Sequence, residues 1–237
     1  MSVTNREVSR RASSSRQRKR RRFSTEAKML VYIGLGLAFA AALFFVIVRP
    51  SMTGAPRTGQ PQRAEALVRE DSFRWGPPDA KVTLVEFLDY ECPSCAAMYP
   101  TVDRIRQEYG DRIQVVVRYF PLHGNSVLAF KAAEAAGRQG KYEAMYSTLF
   151  QQQRAWGGKS TPPTDIFVGY ASSLGLDVEQ FRRDLADPAL DEKVRRDQAD
   201  GVAVGVNGTP TFFVNGLQVA NVGSYEQLKG RIDAGLR

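Results

Sequence analysis

Apolar residues follow three distinct rhythms along this 237-residue chain. Positions 29–48 read MLVYIGLGLAFAAALFFVIV, a run of twenty residues without a charge and without a polar stripe on any helical face. A helix of that length is about 30 Å long, the thickness of a bilayer core, so the run predicts a transmembrane helix. Residues 82–88 (VTLVEFL) predict a buried strand entered from the turn Gly76-Pro77-Pro78-Asp79. A helical period follows over 93–109, with Ala96, Tyr99, Val102 and Ile105 apolar and Gly110 as its stop. A second strand is expected over 113–120, at a spacing that suits a right-handed β-α-β crossover.

From 126 to 204 the pattern is helical throughout. Segments 127–139, 142–153, 164–174, 178–186 and 188–204 predict helices, several opened by Asp or Thr in N-cap position. Strand signals return at 211–214 and 217–222 around Asn215-Gly216, a strong hairpin turn. A last helix over 225–236 begins at Ser224 with Gln227 three residues on, the pattern of a capping box. The predicted order is β-α-β, a helical insertion over 126–205, then β-β-α over 206–237, an α/β fold whose first part covers 72–125.

Charge changes the picture at the front of the chain only. Ten Lys and Arg against two acids within residues 1–28 account for the whole net charge of +8, and the remainder is balanced. A nucleic-acid arm is therefore a weaker explanation than a topology signal. Arg18, Lys19, Arg20, Arg21 and Arg22 precede the apolar run and only Arg49 follows it, which predicts a cytoplasmic tail over 1–28 and an extracytoplasmic remainder. Cleavage near Ala40, Ala41 and Ala42 would leave Leu43 to Val48 as an apolar new terminus, so an uncleaved signal anchor is the better reading. Arg20-Arg21-Arg22-Phe23 only loosely resembles a twin-arginine export signal. Residues 49–71, rich in Pro, Gly, Gln, Thr and Arg with a short helical patch near the end, predict a linker.

Cys92 and Cys95 are the entire cysteine complement, spaced C-x-x-C at a strand-to-helix junction. A zinc site needs about four ligands, and two cysteines with a single histidine do not supply them. A structural staple across four residues stabilises by only about 2 kcal/mol through loop closure. A redox pair is the third reading. Cys92 would be the N-cap residue and Pro93 the first helical one, where a missing N–H costs nothing. Unpaired amides and the positive end of the helix dipole would then lower the Cys92 pKa below its free value of about 8.5. Cys95, one turn on, is placed to resolve a mixed disulfide. Glu86 is the other exceptional residue, a carboxyl in a strand otherwise apolar on both faces. Burial would raise its pKa and make it a proton acceptor for Cys95; reaching solvent at the strand end is the alternative. His123 reads as a capping or packing residue at the first helix of the insertion.

Strand, Cys92-Pro93-Ser94-Cys95, helix, strand, helical insertion and then Gly208-Thr209-Pro210-Thr211 before a hairpin resembles the DsbA-like thiol-disulfide oxidoreductases of the thioredoxin superfamily, over roughly 72–237. The resemblance implies a thioredoxin fold and extracytoplasmic exchange of disulfides with cysteine-containing exported proteins, most often by dithiol oxidation. It also implies a cis proline at Pro210, with Thr209 pairing to an extended substrate segment, and an acidic proton carrier at Glu86. Pro93 and Ser94 tune the pair, although Ser94 stands where the strongest oxidases of the family carry histidine. A quinone-linked membrane protein is the implied reoxidant, with no metal or organic cofactor and no nucleic-acid partner. A reductase serving cytochrome maturation and a binding module with a permanent disulfide are the competing functions. Gly158-Lys159-Ser160 lacks the earlier glycine of a phosphate loop, and Asn207-Gly208-Thr209 abuts the loop proline, so neither fragment is read as a site.

Overall fold

The computed structural model describes residues 64–237 apart from Asn221. The expected cytoplasmic tail over 1–28, the expected membrane span over 29–48 and most of the expected linker over 49–71 lie outside the described residues. Among the described residues no helix is long and apolar enough to cross a membrane.

The first elements are a one-turn helix α1 (Ala64–Leu67) and a two-residue strand β1 (Arg74–Trp75). They lead to β2 (Val82–Leu88), α2 (Pro93–Tyr109) and β3 (Ile113–Tyr119). Strands β2 and β3 run parallel, in register from Val82 opposite Ile113 to Leu88 opposite Tyr119, which makes the expected crossover. The hairpin β4 (Thr211–Val214) and β5 (Leu217–Val219) adds to the free edge of β2 in antiparallel sense. Its turn residues Asn215 and Gly216 have φ of 48° and 79°, the left-handed pair that a two-residue hairpin loop demands. The sheet order is β1-β3-β2-β4-β5. Strand β1 was not expected: two residues are too few for any period, and they are held by pairing with Val115 and Val116 of β3.

Alternation along β2 divides the core in two. Val82 and Leu84 pack with Met98, Val102 and Ile105 of α2 and with Leu228 and Ile232 of the last helix, α9 (Tyr225–Leu236). Val85 and Phe87 point the other way, against Val116, Phe120, Val204, Val206 and Phe213. A third cluster joins the end of the sheet, through Leu88, Val117 and Tyr119, to the helices inserted after β3. These are α3 (Ser126–Gly137), α4 (Tyr142–Gln151), α5 (Gln153–Trp156), α6 (Thr164–Ser173), α7 (Val178–Leu185) and α8 (Pro188–Ala203).

Three local expectations are refined. The single helix expected over 142–153 breaks at Gln152, which leaves helical geometry at φ −102° and ψ 13°. Strand β5 ends at Val219 rather than continuing to 222. At the start of α9, Ser224 Oγ accepts from the Gln227 amide at 3.4 Å as expected. Gln227, however, accepts from the amide of Gly223 at 2.8 Å, one residue before the cap. Where α8 crosses the sheet, Gly201 fills the contact: a Cβ there would lie 2.8 Å from a ring carbon of Phe120 and 3.0 Å from one of Phe87. Nearby, the fully buried Arg118 of β3 is neutralised by Asp197 and Asp200 of α8, at 3.0 and 2.6 Å.

Candidate active site

Strand β2 delivers the chain into the turn Asp89–Glu91, closed by the Cys92 amide donating to the Asp89 carbonyl at 3.1 Å. Cys92 then takes the N-cap position with extended backbone (φ −70°, ψ 123°), and Pro93 opens α2. The Ala96 amide donates to the Cys92 carbonyl at 3.1 Å, the first bond of the helix. This geometry places one cysteine at the rim and the other beneath it: Cys92 is 7% exposed, Cys95 is wholly buried, and both are free thiols. Pro93 and Ser94 are exposed at the lip of the site.

The two sulfurs are held in opposite protonation states. Cys92 is lowered from 9.0 to about 5, chiefly because the Cys95 thiol donates to its sulfur; burial opposes this, and the Thr209 side chain and the amides of Cys95 and Ser94 reinforce it. Cys95 is raised by burial first, then by its bond to Cys92 and by the facing charge of Glu86. The expected lowering by the helix start is present, but the Cys95 side chain is its larger source. The amides of Ser94 and Cys95, in the first turn of α2, add to it, so the helix start contributes behind the neighbouring thiol.

Glu86 lies on the α2 face of β2, between Leu84 and Leu88, and is 1% exposed. The alternative of a strand-end carboxyl reaching solvent is excluded. Burial raises it from 4.5 to about 8, and its Oε2 has no hydrogen-bond partner. The peptide bond between Thr209 and Pro210 is cis, directly before β4. Through it the Thr209 carbonyl comes within 3.4 Å of the Cys92 sulfur, where it accepts from Cys92 in its thiol form. The structure therefore brings Glu86, Cys92, Cys95, Thr209 and Pro210 to one place, from β2, α2 and the loop before β4.

A supporting shell had no sequence signal. Gln153, at the break between α4 and α5, donates to the carbonyls of Tyr90 and Cys92 at 2.7 and 3.0 Å. The buried Glu91 carboxylate accepts from the amides of Asn125 and Gly158, both at 2.7 Å. The Gly158 amide is thus used to hold a carboxylate of the same chain, in line with the rejection of a phosphate loop there. His123 packs at the start of α3 as expected, its amide donating to Ser126 Oγ at 3.2 Å, but its ring also reaches Asp89 at 2.7 Å. Asp89 and Glu91 were passed over because buried acids beside a cysteine pair look, in sequence, like an ordinary solvated turn.

Residues 69–234 match the family model described as thioredoxin. The chain is 42% identical over 199 residues to the Na(+)/H(+) antiporter NhaA of Herminiimonas arsenicoxydans, a match covering 81% of this chain and 30% of that protein. The chain spans less than a third of the length of this curated relative. Among solved structures it is similar to a thioredoxin-like oxidoreductase from Silicibacter pomeroyi, with 31% identity, a TM-score of 0.62, and coverage of 73% of this chain and 96% of that one. It is also similar to BdbD from Bacillus subtilis, with 25% identity, a TM-score of 0.64, and coverage of 76% and 97%. With a cysteine pair at the start of α2, a cis proline before β4 and helices inserted after β3, the chain belongs to the thioredoxin family and is similar to solved thioredoxin-like oxidoreductases.

Proposed function

We propose that this protein forms disulfides in cysteine-containing exported proteins, outside the cytoplasm and from a membrane anchor at residues 29–48. The observation that carries the direction is the divergence of the two thiols, with Cys92 lowered to about 5 and Cys95 raised. A thiolate held stable at neutral pH stabilises the dithiol, and a stabilised dithiol makes its disulfide a strong oxidant.

The reaction begins with the Cys92–Cys95 disulfide. A substrate thiolate attacks the Cys92 sulfur, which is at the rim, and the Cys92–Cys95 bond breaks. Cys95 leaves as a thiolate in a buried site that disfavours it, and the Glu86 carboxyl, protonated at neutral pH, gives it a proton. A second substrate thiolate then attacks the substrate sulfur of the mixed disulfide, forming the new disulfide and expelling Cys92 as its stable thiolate. Two electrons have passed from substrate to enzyme. Thr209 and Pro210 hold an extended substrate segment beside Cys92 through backbone pairing, and exposed Pro93 and Ser94 shape the lip it crosses. A quinone-linked membrane protein takes the electrons onward. The basic tail over 1–28 and the uncharged apolar run over 29–48 support the membrane placement.

The test is a glutathione equilibrium titration of the full chain in detergent, followed by thiol alkylation. The expected potential is about −120 mV, the oxidising end of the known range, and a value of about −270 mV would assign a reductase instead.

A further inference from the structure

A second titratable pair sits at the rim of the site. The loop after β3 brings His123, the chain's only histidine, against the turn that precedes Cys92. Its Nδ1 lies 2.7 Å from Asp89 Oδ2. Asp89 is wholly buried and also accepts from the amides of Glu91 and Leu122, at 2.9 and 2.8 Å, and from the Ser126 hydroxyl at 2.6 Å. A carboxylate with so many donors cannot turn, so the ring nitrogen it holds fixes the tautomer and orientation of the imidazole. The side chain stays 40% exposed, and it lines a 300 Å³ cleft with Glu91, Pro93, Gln153, Arg154 and Gly157. The residues on either side of Cys92, Glu91 and Pro93, thus both line the cleft that the imidazole enters.

We propose that His123 is the charge partner of Cys92: a positioning residue whose imidazolium, held by Asp89, stands beside the Cys92 thiolate and is partly released when that sulfur enters the disulfide. The proposal rests on Cys92 being the exchanging sulfur, as in the function proposed above. The charged groups facing the ring are Asp89, Glu91 and Cys92 from the active-site turn and Arg154 from α5. His123 is raised above 6.5 chiefly by its bond to Asp89, against burial, with the charges of Asp89, Cys92 and Glu91 adding to it. Of these, only the charge on Cys92 vanishes on oxidation. Coupling is reciprocal: what the thiolate does for the imidazolium, the imidazolium does for the thiolate. When the dithiol passes two electrons to a partner disulfide, Cys95 loses its proton and Cys92 its charge. His123 then sheds a further fraction of a proton to solvent.

A single histidine gives one titrating ring signal in the NMR spectrum of the full chain in detergent micelles. The expected result is a His123 pKa about half a unit or more lower in the oxidised than in the reduced protein, the size of one screened charge across a cleft. His123→Gln keeps a donor for Asp89 and removes the charge, and the Cys92 titration, read by thiolate absorbance, should move up by a matching amount. Equal histidine pKa values in the two redox states, with Cys92 still titrating in the acid range, overturn this proposal alone. A Cys92 that does not titrate in the acid range at all overturns the function above and this inference with it. The first measurement needs no variant, so the folding of His123→Gln does not limit the test.

Discussion

Glu86 shows how one buried carboxyl trades stability for chemistry. It is raised from 4.5 to about 8 by burial, so its neutral form is favoured in the fold. A carboxyl raised on folding leaves stability intact below its unfolded pKa and lowers it as pH climbs from 4.5 to about 8. Replacing it by Gln removes that loss. Glu86→Gln is therefore expected to gain stability over the wild type in urea unfolding, most of all above pH 8, while slowing thiol exchange by about 10²-fold. A variant that unfolds more easily at pH 9, or exchanges at the wild-type rate, would return Glu86 to a packing role. Its oddity was legible in the sequence because a single acid stood inside an apolar strand. The reason for the lowered Cys92 pKa was legible only in part: a helix start can be read from Cys92-Pro93, but the donating thiol of Cys95 needs the actual approach of two side chains. Asp89, Glu91 and Gln153 were not legible at all, since Asp89 meets His123 across 34 positions and Gln153 meets the Tyr90 carbonyl across 63.

Elements with a full period were readable and those without one were not. Strands β2 and β3 and helix α2 span seven, seven and seventeen residues, long enough for apolar spacing to declare both type and buried face. Strand β1, with two residues, and the break between α4 and α5 depend on contacts elsewhere in the chain. The close approach of α8 to the sheet falls in the same class, because nothing in its sequence says that Gly201 faces Phe120 and Phe87. Propensity alone would make Gly201→Ala stabilising by about 1 kcal/mol. The methyl group would instead lie 2.8 Å from a Phe120 ring carbon, and that ring is itself buried in the second core. Overpacking of this kind costs about 1–3 kcal/mol. Urea unfolding of Gly201→Ala should therefore show a lower midpoint with an unchanged slope, and a raised midpoint would mean that the helix can retreat from the sheet.

At the scale of the whole molecule, redox state and folding stability are one equilibrium seen twice. Cys92 falls from 9.0 to about 5 on folding of the dithiol form. A thiol lowered in this way contributes stability that is complete above 9.0 and is lost as pH falls through 5, and the disulfide form has no such contribution. At pH 7 it amounts to about 3 kcal/mol. Against it stands the closure of a four-residue loop in the unfolded oxidised chain, which favours the disulfide form by about 2 kcal/mol. The thiolate wins at neutral pH and loses in acid. Urea unfolding of the full chain in both redox states should therefore find the dithiol form the more stable at pH 7 and the disulfide form the more stable at pH 5. A disulfide form more stable across the whole range would mean that the thiolate is not specially held by the fold. The oxidising direction proposed for the protein would then lose its driving force, because the energy that makes a disulfide eager to be reduced is the same energy that makes its dithiol hard to unfold.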